Sequence, residues 1–277
     1  MPGWTVTEIH PIHGRTFERP LSGSERGFFW NGRCDGIGDS LHHIELRLSN
    51  PSLDEYLFGE ANIVKAWLST KRRHPLAGAT VQVSLGAQTA RWPLEMADSK
   101  AENGGHTIST FAPDTNFVIR EHDLAVLRPN EIVIKQVACA EDVERQITEI
   151  LDGPRPLSEK LLAQLYVFRE TNPHRRDVLH MMTLIPHCVT DGTANRSFMR
   201  CLLDTLARGG EPDSEPVQIP LEERLAMVIP SADLEPVHLR SLSPSRRRWR
   251  TVVAAVILQL RKAKGQVSAY TLFPSTS

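Results

Sequence analysis

The chain has 277 residues, of which 40% are hydrophobic and 23% are charged, and these proportions are typical of a globular protein and exclude a disordered one. Its formal net charge of −1 provides no overall field that would draw it to nucleic acid or to a membrane surface. The four cysteines form no C-x-x-C pair, so we expect no bound metal and no redox motif. Because the sequence shows neither a signal peptide nor an apolar run of membrane length, we expect a cytoplasmic protein.

The N-terminal part of the chain predicts one strand followed by a helical region. The first forty residues are rich in Gly, Pro and Arg, which indicates irregular structure. A strand is predicted over His42 to Leu48, where apolar and polar residues alternate. The helical region opens at Pro51 and ends at His74-Pro75, because apolar side chains recur at helical spacing between these positions.

The middle of the chain predicts further strands, a loop and one helix. The strands, in chain order, are Ala79 to Leu85, Thr89 to Pro93, Asn116 to Arg120, Glu131 to Val137, Leu161 to Arg169 and Val178 to Ile185. Residues 96–115 are polar and Gly-rich, so an exposed loop is expected there. A helix is predicted over Glu141 to Leu151. The last two strands are dense in apolar residues, and we expect them to be buried neighbours.

The C-terminal part predicts two more helices separated by an extended segment. An amphipathic helix covers Gly192 to Arg208 and ends at Gly209-Gly210. Residues 211–245 contain many prolines, and a helix over Arg247 to Lys264 and a tail follow them. The pattern predicts an α/β fold in which a two-layer mixed sheet is flanked by helices. We expect residues 1–210 to form this domain and residues 211–277 to form the crossing segment, helix and tail.

The segment Ile185 to Gly192, with the sequence Ile-Pro-His-Cys-Val-Thr-Asp-Gly, connects the last strand to the amphipathic helix. His187 is suited to remove a proton from a hydroxyl or an amine near neutral pH. Asp191 can orient neighbouring groups, and Gly192 allows backbone or substrate to approach closely. A simpler interpretation is a hydrogen-bonded histidine at a strand end and an aspartate that caps the helix. We interpret Cys188 as a small packed residue and not as a nucleophile.

This segment resembles the H-H-x-x-x-D-G signature of the chloramphenicol-acetyltransferase-like superfamily. That superfamily includes peptide-synthetase condensation domains, plant-type alcohol acyltransferases and fungal acetyltransferases of secondary metabolism. The match is His187-x-x-x-Asp191-Gly192, and Pro186 replaces the first histidine, as in the acyltransferase branches. Ala61 to Val83 and Leu161 to Leu206 are also similar to the family, so the likeness covers most of the chain, but only against the family's first lobe.

The resemblance implies an acyl transfer from a thioester to a hydroxyl or an amine of a small secondary metabolite, with His187 as general base. It implies that Asp191 is structural and held by an arginine, and that Gly192 belongs to the same structural motif. It implies no bound cofactor, because acyl-coenzyme A or acyl-pantetheine serves as a co-substrate. It also implies no covalent acyl-enzyme, because both substrates meet at the histidine. The run Arg246 to Arg250 could contact the nucleotide end of coenzyme A, but a solvated helix start explains it better.

The family's second lobe has no counterpart in this sequence, and this leaves other functions open. One alternative is a non-catalytic or partner-dependent half-size homologue that binds a small molecule or another chain. Self-association, or a partner that supplies the second lobe, would then cover apolar surface. Another alternative is a scaffold redirected to cyclisation or isomerisation, in which His187 still transfers the proton.

Overall fold

A computed structural model describes residues 3–35, 38–48, 54–84, 114–171, 177–209, 219–230 and 242–263. The chain divides into two units, Met1–Ala232 and Asp233–Ser277. The strands and helices of the first unit, in chain order, are β1 (Thr5–His10), β2 (Gly14–Pro20), α1 (Gly23–Asp35), β3 (Asp39–Arg47), α2 (Asp54–Phe58), α3 (Glu60–Arg73), β4 (Thr80–Ser84), β5 (Asp114–Arg120), β6 (Ile132–Val137), α4 (Ala140–Asp152), β7 (Gln164–Glu170), β8 (Val178–Pro186), α5 (Gly192–Ala207) and α6 (Leu221–Ala226). The second unit contains α7 (Pro244–Ala263).

Two four-stranded sheets form the framework of the first unit. The first sheet has the order β1-β2-β5-β4, and its strands are all antiparallel. The second sheet has the order β3-β8-β7-β6, and it is mixed because β6 and β7 are parallel. The fold is therefore the predicted mixed α/β class, with two sheets and flanking helices.

The second sheet is buried on both faces by helices. Alternate residues of β7 and β8 pack against α3 and α5, where Trp67, Phe198 and Leu202 belong to the same core cluster. The residues between them pack against α4 around Val143. Every residue of β8 is buried, which explains why apolar residues are dense along this strand. The prediction that the two apolar runs form buried neighbouring strands is confirmed.

The prediction of irregular structure over the first forty residues is wrong. Two strands, β1 and β2, and the helix α1 lie there. The prediction overlooked a helix signal at the start of α1. Glu25 accepts a hydrogen bond from the Ser22 backbone N–H at 2.7 Å, and Ser22 Oγ accepts one from the Glu25 backbone N–H at 3.5 Å. This reciprocal pattern is the Ser-x-x-Glu capping box, a local signal that outweighs the glycine-rich composition around it.

Other predicted elements differ less from the elements of the structure. The predicted first strand is β3, which begins at Asp39, three residues before the expected start. The helical region is two helices, α2 and α3, separated at Gly59. The predicted crossing segment is not extended throughout, because α6 lies within it and buries Leu221 and Leu225. The predicted strand Thr89 to Pro93, most of the loop over residues 96–115 and the tail lie outside the described residues.

Within the described residues, no helix combines the length and the apolar character needed to cross a membrane.

Candidate active site

His187 lies immediately after β8, and its backbone is hydrogen-bonded to the residue that precedes β3. Its N–H donates to the carbonyl oxygen of Gly38 at 2.7 Å, just before β3 begins. Gly38 has φ +102°, in the left-handed region that glycine adopts without strain. In the register of the two strands, Asp39 is opposite Pro186 and Ser40 is opposite Ile185. The backbone of His187 is therefore held by strand pairing and by a bond to the residue that precedes β3.

The imidazole of His187 contacts one oxygen on each side. Its Nδ1 lies 3.1 Å from the carbonyl oxygen of Thr190. Because a carbonyl oxygen only accepts hydrogen bonds, this contact places the ring proton on Nδ1. Nε2 is then the unprotonated nitrogen, and it lies 3.2 Å from Ser40 Oγ, which can donate to it. The side chain of His187 is exposed, so Nε2 is available to accept a proton from a bound molecule.

The sequence prediction did not include Ser40, Phe28 or the ion pair beside them. The ring of Phe28, from α1, lies 5.3 Å from the imidazole of His187, centroid to centroid. The predicted first strand started after Ser40, and the pairing of β3 with β8 is a non-local feature. Recognition of the capping box would have placed α1, and hence Phe28, on a helix beside this strand.

An ion pair fixes the beginning of β3. Nε and Nη2 of Arg155 donate to the two carboxylate oxygens of Asp39 at 2.6 and 2.8 Å. The side chains of Arg155 and Asp39 are only 15% and 11% exposed. Asp39 lies between Gly38, which binds the backbone of His187, and Ser40, which contacts its ring. A Cβ on Gly32 would lie 2.9 Å from Arg155 Nη2, so a side chain in that part of α1 would displace the guanidinium.

Asp191 and Gly192 lie at the start of α5. Oδ1 of Asp191 accepts a hydrogen bond from the Ala194 backbone N–H at 2.7 Å, which is the contact of a helix N-cap. Among the described residues, no arginine forms an ion pair with Asp191, whereas the resemblance implies one. No heavy atom lies within 4 Å of the position that a Cβ on Gly192 would occupy. The space beside Gly192 is open, as the approach of a substrate would require.

Cys188, adjacent to the histidine, is buried in the core beneath the first sheet. Burial raises the pKa of the Cys188 thiol to about 12, although the nearby Arg155 guanidinium acts in the opposite direction. A thiol with this pKa stays protonated near neutral pH and is a poor nucleophile. Its environment agrees with the packing role expected from the sequence.

A cavity of about 340 Å³ lies at the other end of β7 and β8. It is lined by Phe58, Arg169 and Glu170, and by Val178, the first residue of β8. His187 follows the last residue of the same strand, so the cavity and the imidazole are separated by the length of β8. The cavity therefore does not belong to the candidate active site.

No protein-family model and no curated protein matches the sequence, whereas solved structures match it at low identity. TRI3, the trichothecene 15-O-acetyltransferase from Fusarium sporotrichioides, is 13% identical with a TM-score of 0.52, and the match covers 92% of this chain and 47% of that chain. The condensation domain from the monacolin K polyketide synthase MokA is 14% identical with a TM-score of 0.48, over 94% of this chain and 45% of that one. F. sporotrichioides TRI101, complexed with coenzyme A and T-2, is 12% identical with a TM-score of 0.43, over 77% of this chain and 45% of that one.

The chain spans about half the length of these solved structures. Of the three, TRI3 has the score that supports a common fold, and its identity is too low to show more than the fold. The chain therefore shares the two-sheet α/β fold of TRI3.

Proposed function

We propose that the chain transfers an acyl group from a coenzyme A or carrier-protein thioester to a hydroxyl or an amine of a small metabolite, with His187 as general base. The observation that carries this proposal is the orientation of the imidazole. Its Nδ1 is bound to the carbonyl oxygen of Thr190, which leaves the exposed Nε2 as the proton acceptor. The motif His187-x-x-x-Asp191-Gly192 and a fold shared with a named acetyltransferase support the same function.

The chemistry needs one proton acceptor and two substrates held together. The hydroxyl of the acceptor replaces Ser40 Oγ at Nε2 of His187 and gives its proton to that nitrogen. The acceptor oxygen attacks the thioester carbonyl carbon, and the C–S bond breaks. The imidazolium then returns the proton to the departing sulfur, which leaves as a thiol. The Thr190 carbonyl oxygen stabilises the imidazolium through its bond to Nδ1, and Asp191 supports the site by capping α5.

Replacement of the base tests this proposal. We expect His187→Ala to lower turnover by about 10²- to 10⁴-fold, because the acceptor then loses its general base. The assay combines acetyl-coenzyme A with a panel of small secondary alcohols and amines, and a chromogenic thiol reagent measures the released coenzyme A. His122→Ala, at another exposed histidine, serves as the control and should retain wild-type turnover. Equal turnover by His187→Ala and the wild type would contradict the assignment of the base.

A second candidate function is a non-catalytic one, in which the chain acts by binding another chain. One observation favours it: apolar side chains recur along one face of α7, and they are exposed. The His187→Ala experiment separates the two candidates, because a binding protein would show no thiol release that depends on His187.

A further inference from the structure

Three side chains form a row across the second sheet, at the end far from His187. Gln136 of β6 is the register partner of Arg169 of β7, and Arg169 is the partner of Leu179 of β8. Because residues directly opposite each other on neighbouring strands lie on the same face of a sheet, these side chains are neighbours. Phe58, the last residue of α2, belongs to the same core cluster as Leu179. The row and Phe58 line the cavity of about 340 Å³, which therefore has a polar side and an apolar side.

Arg169 has fewer partners than a half-buried guanidinium needs. Its Nη2 donates to the carbonyl oxygen of Phe58. Its Nε is buried and has no hydrogen-bond partner among the described residues, and no carboxylate of those residues forms an ion pair with it. The side chain of the adjacent Glu170 points to the other face of β7, where its Oε1 lies 3.1 Å from Nε2 of His180. A buried donor without an acceptor costs free energy, which an anion in the cavity would recover.

The cavity is open to solvent at its polar side. Gln136 and Thr171 are exposed and Arg169 is half-buried, whereas Phe58 and Leu179 are only 4% and 1% exposed. The guanidinium has N–H donors that the Phe58 carbonyl does not use, and the amide of Gln136 can donate as well. A small molecule can therefore enter with an anionic group held near the opening and an apolar body against Phe58 and Leu179.

We propose that this cavity is a second binding site of the chain and that it takes a small monocarboxylate with an apolar body. The planar guanidinium of Arg169 matches the two oxygens of a carboxylate, so one group provides an acceptor for Nε and balances the charge. A single cation favours a single negative charge over a phosphate dianion, whose second charge would have no partner. The volume suits a small molecule, and the length of β8 separates the site from His187, so this binding does not depend on acyl transfer.

Calorimetric titration of the full chain with benzoate tests the role of the charge. Benzamide has the same apolar body without the charge, and inorganic phosphate has a charge without the apolar body. We expect benzoate to bind about 10-fold more tightly than either, because hydrogen bonds between charged groups are the stronger ones. Arg169→Gln should weaken the binding of benzoate by about 10-fold and leave that of benzamide unchanged. Arg120→Gln, at an exposed arginine of β5, should bind both as the wild type does.

Photo-crosslinking locates the ligand in the wild-type chain and needs no variant. 4-Azidobenzoate keeps the carboxylate and the ring of benzoate and forms a reactive nitrene on irradiation, and tandem mass spectrometry then identifies the modified residues. We expect adducts at Phe58 or Leu179, and an excess of benzoate should suppress them. His187→Ala should change neither the adducts nor the affinity for benzoate, because the two sites are separate.

The proposal is overturned if benzoate binds the wild type no more tightly than benzamide, and this result does not depend on the folding of any variant. Equal affinities for phosphate and benzoate would make the cavity a general anion site and not a carboxylate site. An Arg169→Gln variant that is folded by circular dichroism and binds benzoate like the wild type would remove the guanidinium from the site. Adducts beside His187 and none at Phe58 or Leu179 would assign the ligand to the candidate active site.

Discussion

Asp191 belongs to the motif that suggested the function, but its side chain has the contact of a helix cap. Its carboxylate accepts the Ala194 backbone N–H at 2.7 Å, at the N-terminus of α5. A capping side chain satisfies a backbone donor that would otherwise have no partner within the helix. Asp191 therefore stabilises the turn between His187 and the helix, and it acts on the histidine only through that turn.

Substitutions that keep or remove the cap distinguish this role from a role of the charge. We expect Asp191→Ala to lower the free energy of unfolding by about 1 kcal/mol, because the cap is lost. Asp191→Asn should stay close to the wild type in stability and in turnover, because asparagine caps helices equally well. Urea unfolding followed by circular dichroism measures the stability, and thiol release measures the turnover. A stable Asp191→Asn variant without turnover would show that the negative charge itself is needed.

At the scale of elements, a buried ion pair connects β2 to α1. Two hydrogen bonds of 2.8 and 3.0 Å join the guanidinium of Arg19 to the carboxylate of Glu25. The two side chains are only 1% and 7% exposed. Arg19 also lies over the rings of Trp4 and Phe117, which bring β5 and the N-terminal residues to the same cluster. The helix that places Phe28 beside His187 therefore depends on this pair for its position.

Removal of one charge of this pair should be costly. We expect Glu25→Gln to lower the free energy of unfolding by about 3–5 kcal/mol, because the guanidinium of Arg19 would remain buried without a counter-charge. Asp204→Asn is the matched control, since Asp204 pairs with Arg200 on the surface of α5 at 60% and 85% exposure. That change should cost no more than about 1 kcal/mol. Chemical denaturation measures the free energy of unfolding of the two variants. Equal losses of stability would show that the burial of the ion pair at α1 does not increase the cost of removing one charge.

Local patterns were sufficient to predict the elements that lead to His187. The apolar run of β8 and the amphipathic pattern of α5 depend on residues close together in sequence, so the strand, the turn and the helix were all predicted. Ser40 was not predicted, because its contact with the imidazole depends on the register of β3 against β8. The sequence next to Ser40 contains no sign of that register. The pairing of Arg155 with Asp39 was missed for the same reason, and α1 was missed because its capping box was not recognised.

At the scale of the whole molecule, α7 has an exposed apolar face. Its members recur at intervals of three and four residues, as on one side of a helix. They are 37–69% exposed: Trp249, Val252, Val253, Val256, Ile257 and Leu260. A contiguous apolar surface of this kind is typical of an interaction site.

We expect the isolated chain to self-associate through this face of α7, with a second copy of the chain as the partner. Multi-angle light scattering after size-exclusion chromatography should give a mass above that of the monomer at micromolar concentration. The double substitution Val256→Glu and Leu260→Glu should return the chain to the monomer, because it places two charges in the apolar face. Ser245→Glu adds a charge at another exposed position of the same helix and should leave the association unchanged. A monomeric wild-type chain would contradict this expectation.

The pairing of β3 with β8 also determines when Ser40 and His187 can meet during folding. Ser40 and His187 are 147 positions apart in the sequence, so their approach closes a long loop of chain. Non-local strand pairing of this kind is slow compared with the formation of single helices or hairpins. A slip of one residue would turn Ser40 to the opposite face of the sheet and leave the imidazole without its hydroxyl partner. A nascent or misregistered chain therefore lacks the contact between Ser40 and the imidazole, and this contact forms only when the second sheet has reached its native register.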